Sequence, residues 1–214
     1  MVYRIDRIIR DVRVAIDQNT ADRQLEDLGD RETLELNETI GSKIKEGARS
    51  VLTVASPRFL EEGHILDGGV CHGKNGSGWI LLPDDFMRLL AFRMSDWERT
   101  LYEAITPDDP LYELQSSRYG GIRGNPQKPV CAIVNRQEGK ALEFYSCRSN
   151  DAYMALGLYL PYPTVRNGSI DISERCYEAV VYMTAALTLT TYGETERAQA
   201  LEARALTLAG VARP

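Results

Sequence analysis

The segment Cys176-Tyr-Glu-Ala-Val-Val-Tyr-Met-Thr-Ala-Ala-Leu187 constrains this chain more than any other. It is apolar almost all round, so the helix it predicts is buried on most sides. Asp171, with Glu174 three residues later, predicts a capping box at its start, and Gly193 ends it. A last helix over about 195–209 sets Ala198, Leu201, Ala205 and Leu208 on one face. Glu194, Glu196, Arg197, Glu202 and Arg204 lie largely on its exposed side.

The beginning of the chain is also helical in pattern. Residues 3–18 place Ile5, Ile8, Ile9, Val12 and Ile16 on one face, ringed by Arg4, Asp6, Arg7, Arg10, Asp11 and Arg13. A polar break follows at 19–22, and the alternation over Glu32–Asn37 reads as extended. From Glu38 to Ala55, Ile40, Ile44, Ala48, Val51, Leu52 and Ala55 recur at helical spacing until Pro57 stops them. Gly41 and Gly47 interrupt that helix with residues of low helix propensity.

The middle differs. Residues 63–78 hold six of the 17 glycines and read as a loop. Trp79–Pro83 and Phe86–Met94 are apolar runs, and Ala91–Tyr102 alternates like a strand. Pro107-Asp-Asp-Pro110 is a turn or a helix start, and Tyr119–Pro126 a flexible stretch. Val130–Val134 and Ala141–Tyr145 pair as a β-hairpin across Gln137-Glu-Gly-Lys140, where Gly139 can take positive φ. The expected class is therefore α+β: a mainly α-helical bundle from 1–60 and 168–214, with a β-rich insertion over 61–167. No βαβ alternation supports a doubly wound sheet.

Charge and composition narrow the functions. The net charge of -6 argues against a protein that wraps DNA through a Lys/Arg excess. No run approaches the roughly 18 apolar residues of a membrane span. The first residues, Met-Val-Tyr-Arg-Ile-Asp-Arg, put charges where a signal peptide has its apolar stretch, so the chain is expected to stay where it is made. Cys71, Cys131, Cys147 and Cys176 fit no zinc spacing. Cys131 and Cys147 should lie near each other across the hairpin, yet the default for such thiols is the reduced form.

Catalytic equipment is sparse. Gly68-Gly-Val-Cys-His-Gly-Lys74-Asn75 matches a phosphate-binding loop except that Asn75 stands where a Ser or Thr would bind Mg²⁺. Gly76-Ser-Gly78 follows where the motif needs a helix, so a mobile surface loop is the better reading. His64, Cys71 and His72 lack the second ligand pair of a zinc site. Asp84-Asp85 and Asp108-Asp109 sit beside prolines, where Asp caps turns and helices. Neither catalytic residues nor a cofactor or metal is expected. Arg118, Arg123 and Lys128 around the Tyr119–Gly124 turn read in a monomer as a solvated loop with scattered charge, and at a subunit interface as a contact for nucleic acid or an acidic neighbour. Trp79, Trp97 and Tyr119 are the stacking platforms a single-stranded nucleic-acid module would use.

Three segments carry a resemblance. They are Tyr3-Arg-Ile-Asp-Arg-Ile-Ile-Arg-Asp-Val-Arg13; Leu82–Trp97, continuing to Arg123-Gly-Asn-Pro126; and the helix pair around Ala179–Leu187 and Glu196–Leu201. Together they resemble the head-to-tail connector (adaptor) proteins of tailed bacteriophages, both the short-tailed adaptor type and the ring proteins of crAss-like Bacteroides phages. The resemblance implies a non-enzymatic virion protein, assembled in the host bacterial cytoplasm. It would form a closed ring, typically a dodecamer, that binds the portal protein and tail or further ring proteins and lets double-stranded DNA pass. Its contact residues are expected among Tyr119, Arg123, Arg118 and Trp97. The alternatives are a phosphate- or nucleotide-binding protein using Gly68–Lys74, or a single-stranded nucleic-acid-binding module.

Overall fold

A computed structural model describes residues 1–18, 30–61, 63–119 and 121–211, with side chains 17–18 and 30–35 outside the description. Two compact units emerge: Met1–Glu61 with Pro163–Pro214, and Glu62–Tyr162.

The first unit is built around the apolar helix. Strand β1 (Val2–Arg4) leads into α1 (Ile5–Gln18), and α2 (Asp30–Val54) follows. After the second unit come β9 (Val165–Arg166), β10 (Ser169–Asp171), α4 (Tyr177–Thr191) and α5 (Thr195–Leu208). Helix α4 packs against α1, α2 and α5, which is why it can be apolar on most sides. Ala179, Val180, Val181, Met183, Ala185, Ala186 and Leu189 are buried along it. Its buried hydroxyls are satisfied locally: Thr184 Oγ1 donates to the Val180 carbonyl and Thr188 Oγ1 to the Thr184 carbonyl, both at 2.8 Å. Ile8, Val12 and Ala15 of α1 are buried, as are Ile40, Ile44, Ala48, Val51 and Leu52 of α2.

Gly47 has a packing purpose. A Cβ there would lie 2.5 Å from Thr184 Oγ1 and 3.1 Å from the Thr184 nitrogen, so α2 and α4 approach at a distance only glycine permits.

The second unit holds β2 (His64–Ile65), β3 (Val70–His72), β4 (Gly78–Leu81), β5 (Phe86–Met94), the short α3 (Pro110–Leu114), β6 (Cys131–Arg136), β7 (Gly139–Phe144) and β8 (Met154–Pro161). Its two antiparallel sheets run β2-β8-β5 and β3-β4-β7-β6. Ile80, Leu142 and Phe144 from one sheet and Phe86, Leu89, Phe92 and Tyr159 from the other belong to one buried cluster. The pairing of β5 with β8 shifts register between Phe86 and Arg88, Leu89 and Ala91, and Arg93 and Met94.

Several expectations need correction. The chain is not dominated by a helical bundle: the described residues contain five helices and ten strands in three antiparallel sheets. One of those sheets, β1-β10-β9, lies in the first unit, and its strands β1 and β10 fall in segments expected to be helical. Its strands are two or three residues long, too short for any periodic signature. Tyr3 and Arg4, expected at the head of the first helix, pair instead with Ile170 and Ser169. Glu32–Asn37, expected to be extended, is the first part of α2. The Asp171/Glu174 capping box does not form. Asp171 pairs with the Met1 amine at 2.8 Å, and the Glu174 N–H donates to Glu61 Oε1 at 3.1 Å. A single 3-10 turn, Glu174–Cys176, enters α4 instead. The predicted polar break at 19–22 lies outside the described residues.

Ala91–Tyr102 is not one strand. β5 ends at Met94, the chain turns, and Phe92 and Leu101 exchange both backbone hydrogen bonds at 2.8 and 2.9 Å. Gly68–Lys74 is no open loop either: Val70–His72 pairs with β4 through a turn whose Asn75 and Gly76 both have positive φ, 58° and 74°. A strand follows Lys74 where a phosphate cradle needs a helix N-terminus.

Candidate interaction surface

The chain between β5 and β6 makes a long excursion from the sheets, and local chemistry fixes its shape. Asp109 opens α3, its carboxylate accepting from the Leu111 N–H at 2.8 Å. Gln115 is buried and clamps both arms of the excursion. Its Nε2 donates to the Leu111 carbonyl at 2.8 Å, and its Oε1 accepts from the Gly124 N–H at 2.8 Å. Between those arms the N–H groups of Ile122 and Arg123 both point at the Tyr119 carbonyl, at 3.0 and 3.2 Å.

What the excursion presents is apolar. Leu111, Leu114, Tyr119 and Ile122 are 49, 42, 58 and 52% exposed, within twelve residues of chain. Arg118 lies over the Tyr119 ring at 5.0 Å, and its Nη2 donates to the Tyr119 hydroxyl at 2.9 Å. This pairing holds an aromatic and a guanidinium outward together, the two side-chain types most favoured at protein contacts.

Beneath α3 lies a polar network on β7. Glu143 accepts from Arg136 Nε at 3.0 Å and Nη2 at 2.5 Å, from the Tyr145 hydroxyl, and from the Tyr112 hydroxyl at 3.4 Å. Arg136 also lies over Trp79 at 4.8 Å. Burial, and then the Glu143 carboxylate, push the Tyr145 phenol well above its ordinary value, so it stays a donor. Tyr112 and Tyr145 meet edge to face, which seats α3 on the sheet.

Two clefts open beside the excursion and share Asn75, Arg123 and Tyr145. The larger, about 840 Å³, runs along α3 past Lys74, Glu113 and Leu114. The smaller, about 550 Å³, runs toward Ser146 and Arg148.

Of the residues expected at a contact surface, Arg118, Tyr119 and Arg123 belong to this excursion. Trp97 does not. It is 5% exposed and packs edge-on against Phe92 at 5.4 Å in the core of its unit. Lys128 turns back to Asn125 through its backbone. His64 lies on β2 of one sheet, and Cys71 and His72 on β3 of the other. Among the described residues no group of three His, Cys, Asp or Glu is arranged to hold a metal ion. Cys131 and Cys147 are free, buried thiols, each pushed up to about 12 by burial.

Sequence reasoning missed Asn75, Ser146 and Arg148 as neighbours of Arg123. They lie 23 to 48 positions from it, and no local pattern couples them. Ser149 and Arg148 are fixed by Asp96, whose Oδ2 accepts from the Arg148 N–H at 2.6 Å and the Ser149 N–H at 3.4 Å. No family model and no curated protein sequence matches this chain. No helix among the described residues is long and apolar enough to cross a membrane.

Proposed function

We propose that this chain is a structural virion protein, a head-to-tail connector that closes into a ring between portal and tail and lets DNA pass. One observation carries the reading: the excursion from Asp109 to Gly124 presents Leu111, Leu114, Tyr119 and Ile122 to solvent from a backbone pinned by Gln115. Exposed apolar side chains grouped on a fixed backbone mark a surface meant for another protein. The Arg118–Tyr119 pair gives that surface a polar, directional member.

A ring follows when such a surface meets a different face of the next copy and the rotation closes. The net charge of -6 suits passage of a duplex, because a net-negative protein offers phosphates few sites to adhere to.

The test is assembly. The purified chain, alone and mixed with the portal protein of the same genome, is examined by native mass spectrometry and negative-stain microscopy. Rings of one size are expected with portal present. A chain that remains monomeric in both conditions overturns the proposal.

A further inference from the structure

The smaller cleft differs from the rest of this acidic molecule. Arg123 and Arg148 line it, together with Asn75, Asn125, Asn150 and Ser146. Among the described residues lining it there is no carboxylate.

Its donors are largely uncommitted. Asn125 uses its Oδ1 to accept from the N–H groups of Gln127 and Lys128, at 3.0 and 3.1 Å, which leaves its amide nitrogen as a donor. Ser146 is 2% exposed, and its Oγ accepts from the Val130 N–H at 2.9 Å. Its hydroxyl proton has no acceptor among the described residues. Arg148 reaches Glu98 at 3.3 Å, but both side chains are more than half exposed, and such a pair is weak enough to yield to a better acceptor.

The walls are stiff. A Cβ on Gly76 would stand 1.9 Å from the Cys147 carbonyl oxygen, and one on Gly124 would stand 2.5 Å from Ser146 Oγ. The Cys147 N–H donates to the Gly76 carbonyl at 3.0 Å, tying the β3–β4 turn to the segment after β7. Donors held this way need little ordering on binding.

From this we infer that the cleft is an anion site, and that its ligand is a side-chain carboxylate presented by a second copy of this chain. The guanidinium fork matches a planar carboxylate. A concave site of about 550 Å³ admits a side chain or a short loop, not a duplex, which is held instead by rows of cations along its phosphates. With 31 Asp and Glu against 25 Lys and Arg, each copy has carboxylates to spare for its neighbour. The chemistry of the cleft stands on its own geometry; the identity of the donor rests on the ring reading.

The experiment has two arms. In the first, the amides of Gly76 and Gly124 are followed by NMR as acetyl-tetraglutamate amide is added, with a short DNA duplex as the comparison. Saturable shifts that weaken as salt rises are expected with the peptide. They should fall more than about tenfold in affinity in the R123A/R148A double variant, a change of two exposed or half-exposed side chains that leaves the fold intact. No shift, a shift equal in the variant, or a shift with duplex alone overturns the carboxylate site. In the second arm, ring yield with portal is compared between wild type and R123A/R148A. Undiminished rings overturn the second copy as donor. Failure of the wild type to form rings overturns the ring reading and that donor together, while the peptide arm still decides the cleft.

Discussion

The tightest constraint at the residue scale is at Gly76. Its φ of 74° is costly for any residue with a Cβ, and that atom would lie 1.9 Å from a backbone oxygen that cannot rotate away. Gly76→Ala should therefore destabilise the protein by more than about 2 kcal/mol, read as a lower midpoint in urea unfolding. A second residue-level effect concerns pH. Burial raises the Cys131 thiol from its ordinary value of 9.0 to about 12 in the folded chain. Because the folded value is the higher one, the associated stability is fully present below about pH 9. It is lost as pH rises from there toward 12, at up to about 1.4 kcal/mol per pH unit for one group. Melting temperatures measured from pH 9 upward should fall, and Cys131→Ala should make that fall shallower, with Cys147 still contributing, while costing stability at neutral pH. A wild-type melt independent of alkaline pH would contradict this account of the thiol.

Among the elements, α2 and α4 are held at a spacing that Gly47 sets. Alanine is the better helix former by about 1 kcal/mol. The new methyl would nevertheless meet Thr184 Oγ1 at 2.5 Å, and that hydroxyl is buried and already bonded to the Val180 carbonyl. Overpacking of this kind costs about 1–3 kcal/mol, so the clash wins. Gly47→Ala should lower the melting temperature, and the same change at Gly41, whose nearest atom is 3.9 Å away, should leave it level or raise it. Helix α1 and the later part of α2 were legible because five or six apolar residues repeat at helical spacing. The β6–β7 hairpin was legible because two apolar runs flank a glycine, and Gly139 does take a φ of 134°. The short strands were not, since β1, β9 and β10 are stabilised by partners more than 160 residues away or by one another.

At the scale of the whole molecule, the surface from Asp109 to Gly124 predicts a separation of assembly from stability. Leu114→Asp with Ile122→Asp replaces two exposed apolar side chains that are 42 and 52% accessible. Folding stability should change by no more than about 0.5 kcal/mol per site, while ring yield with portal drops severely. Light scattering and thermal melts on the same preparations check both halves. A fall in stability with rings intact would make this surface a structural element rather than a contact.

Sequence alone determined where the apolar helices lie and that α4 must be enclosed, because periodicity and composition act over neighbouring turns of one helix. It also marked Arg118, Tyr119 and Arg123 as a group, since they are adjacent in the chain. Only the tertiary structure decided that Trp97 is core rather than surface, that Gly68–Lys74 enters a hairpin, and that Arg123 shares a cleft with Ser146 and Arg148. Each of those outcomes depends on strand pairing between distant segments. Such pairing is set by which faces can be buried together, and no local run of residues encodes that choice.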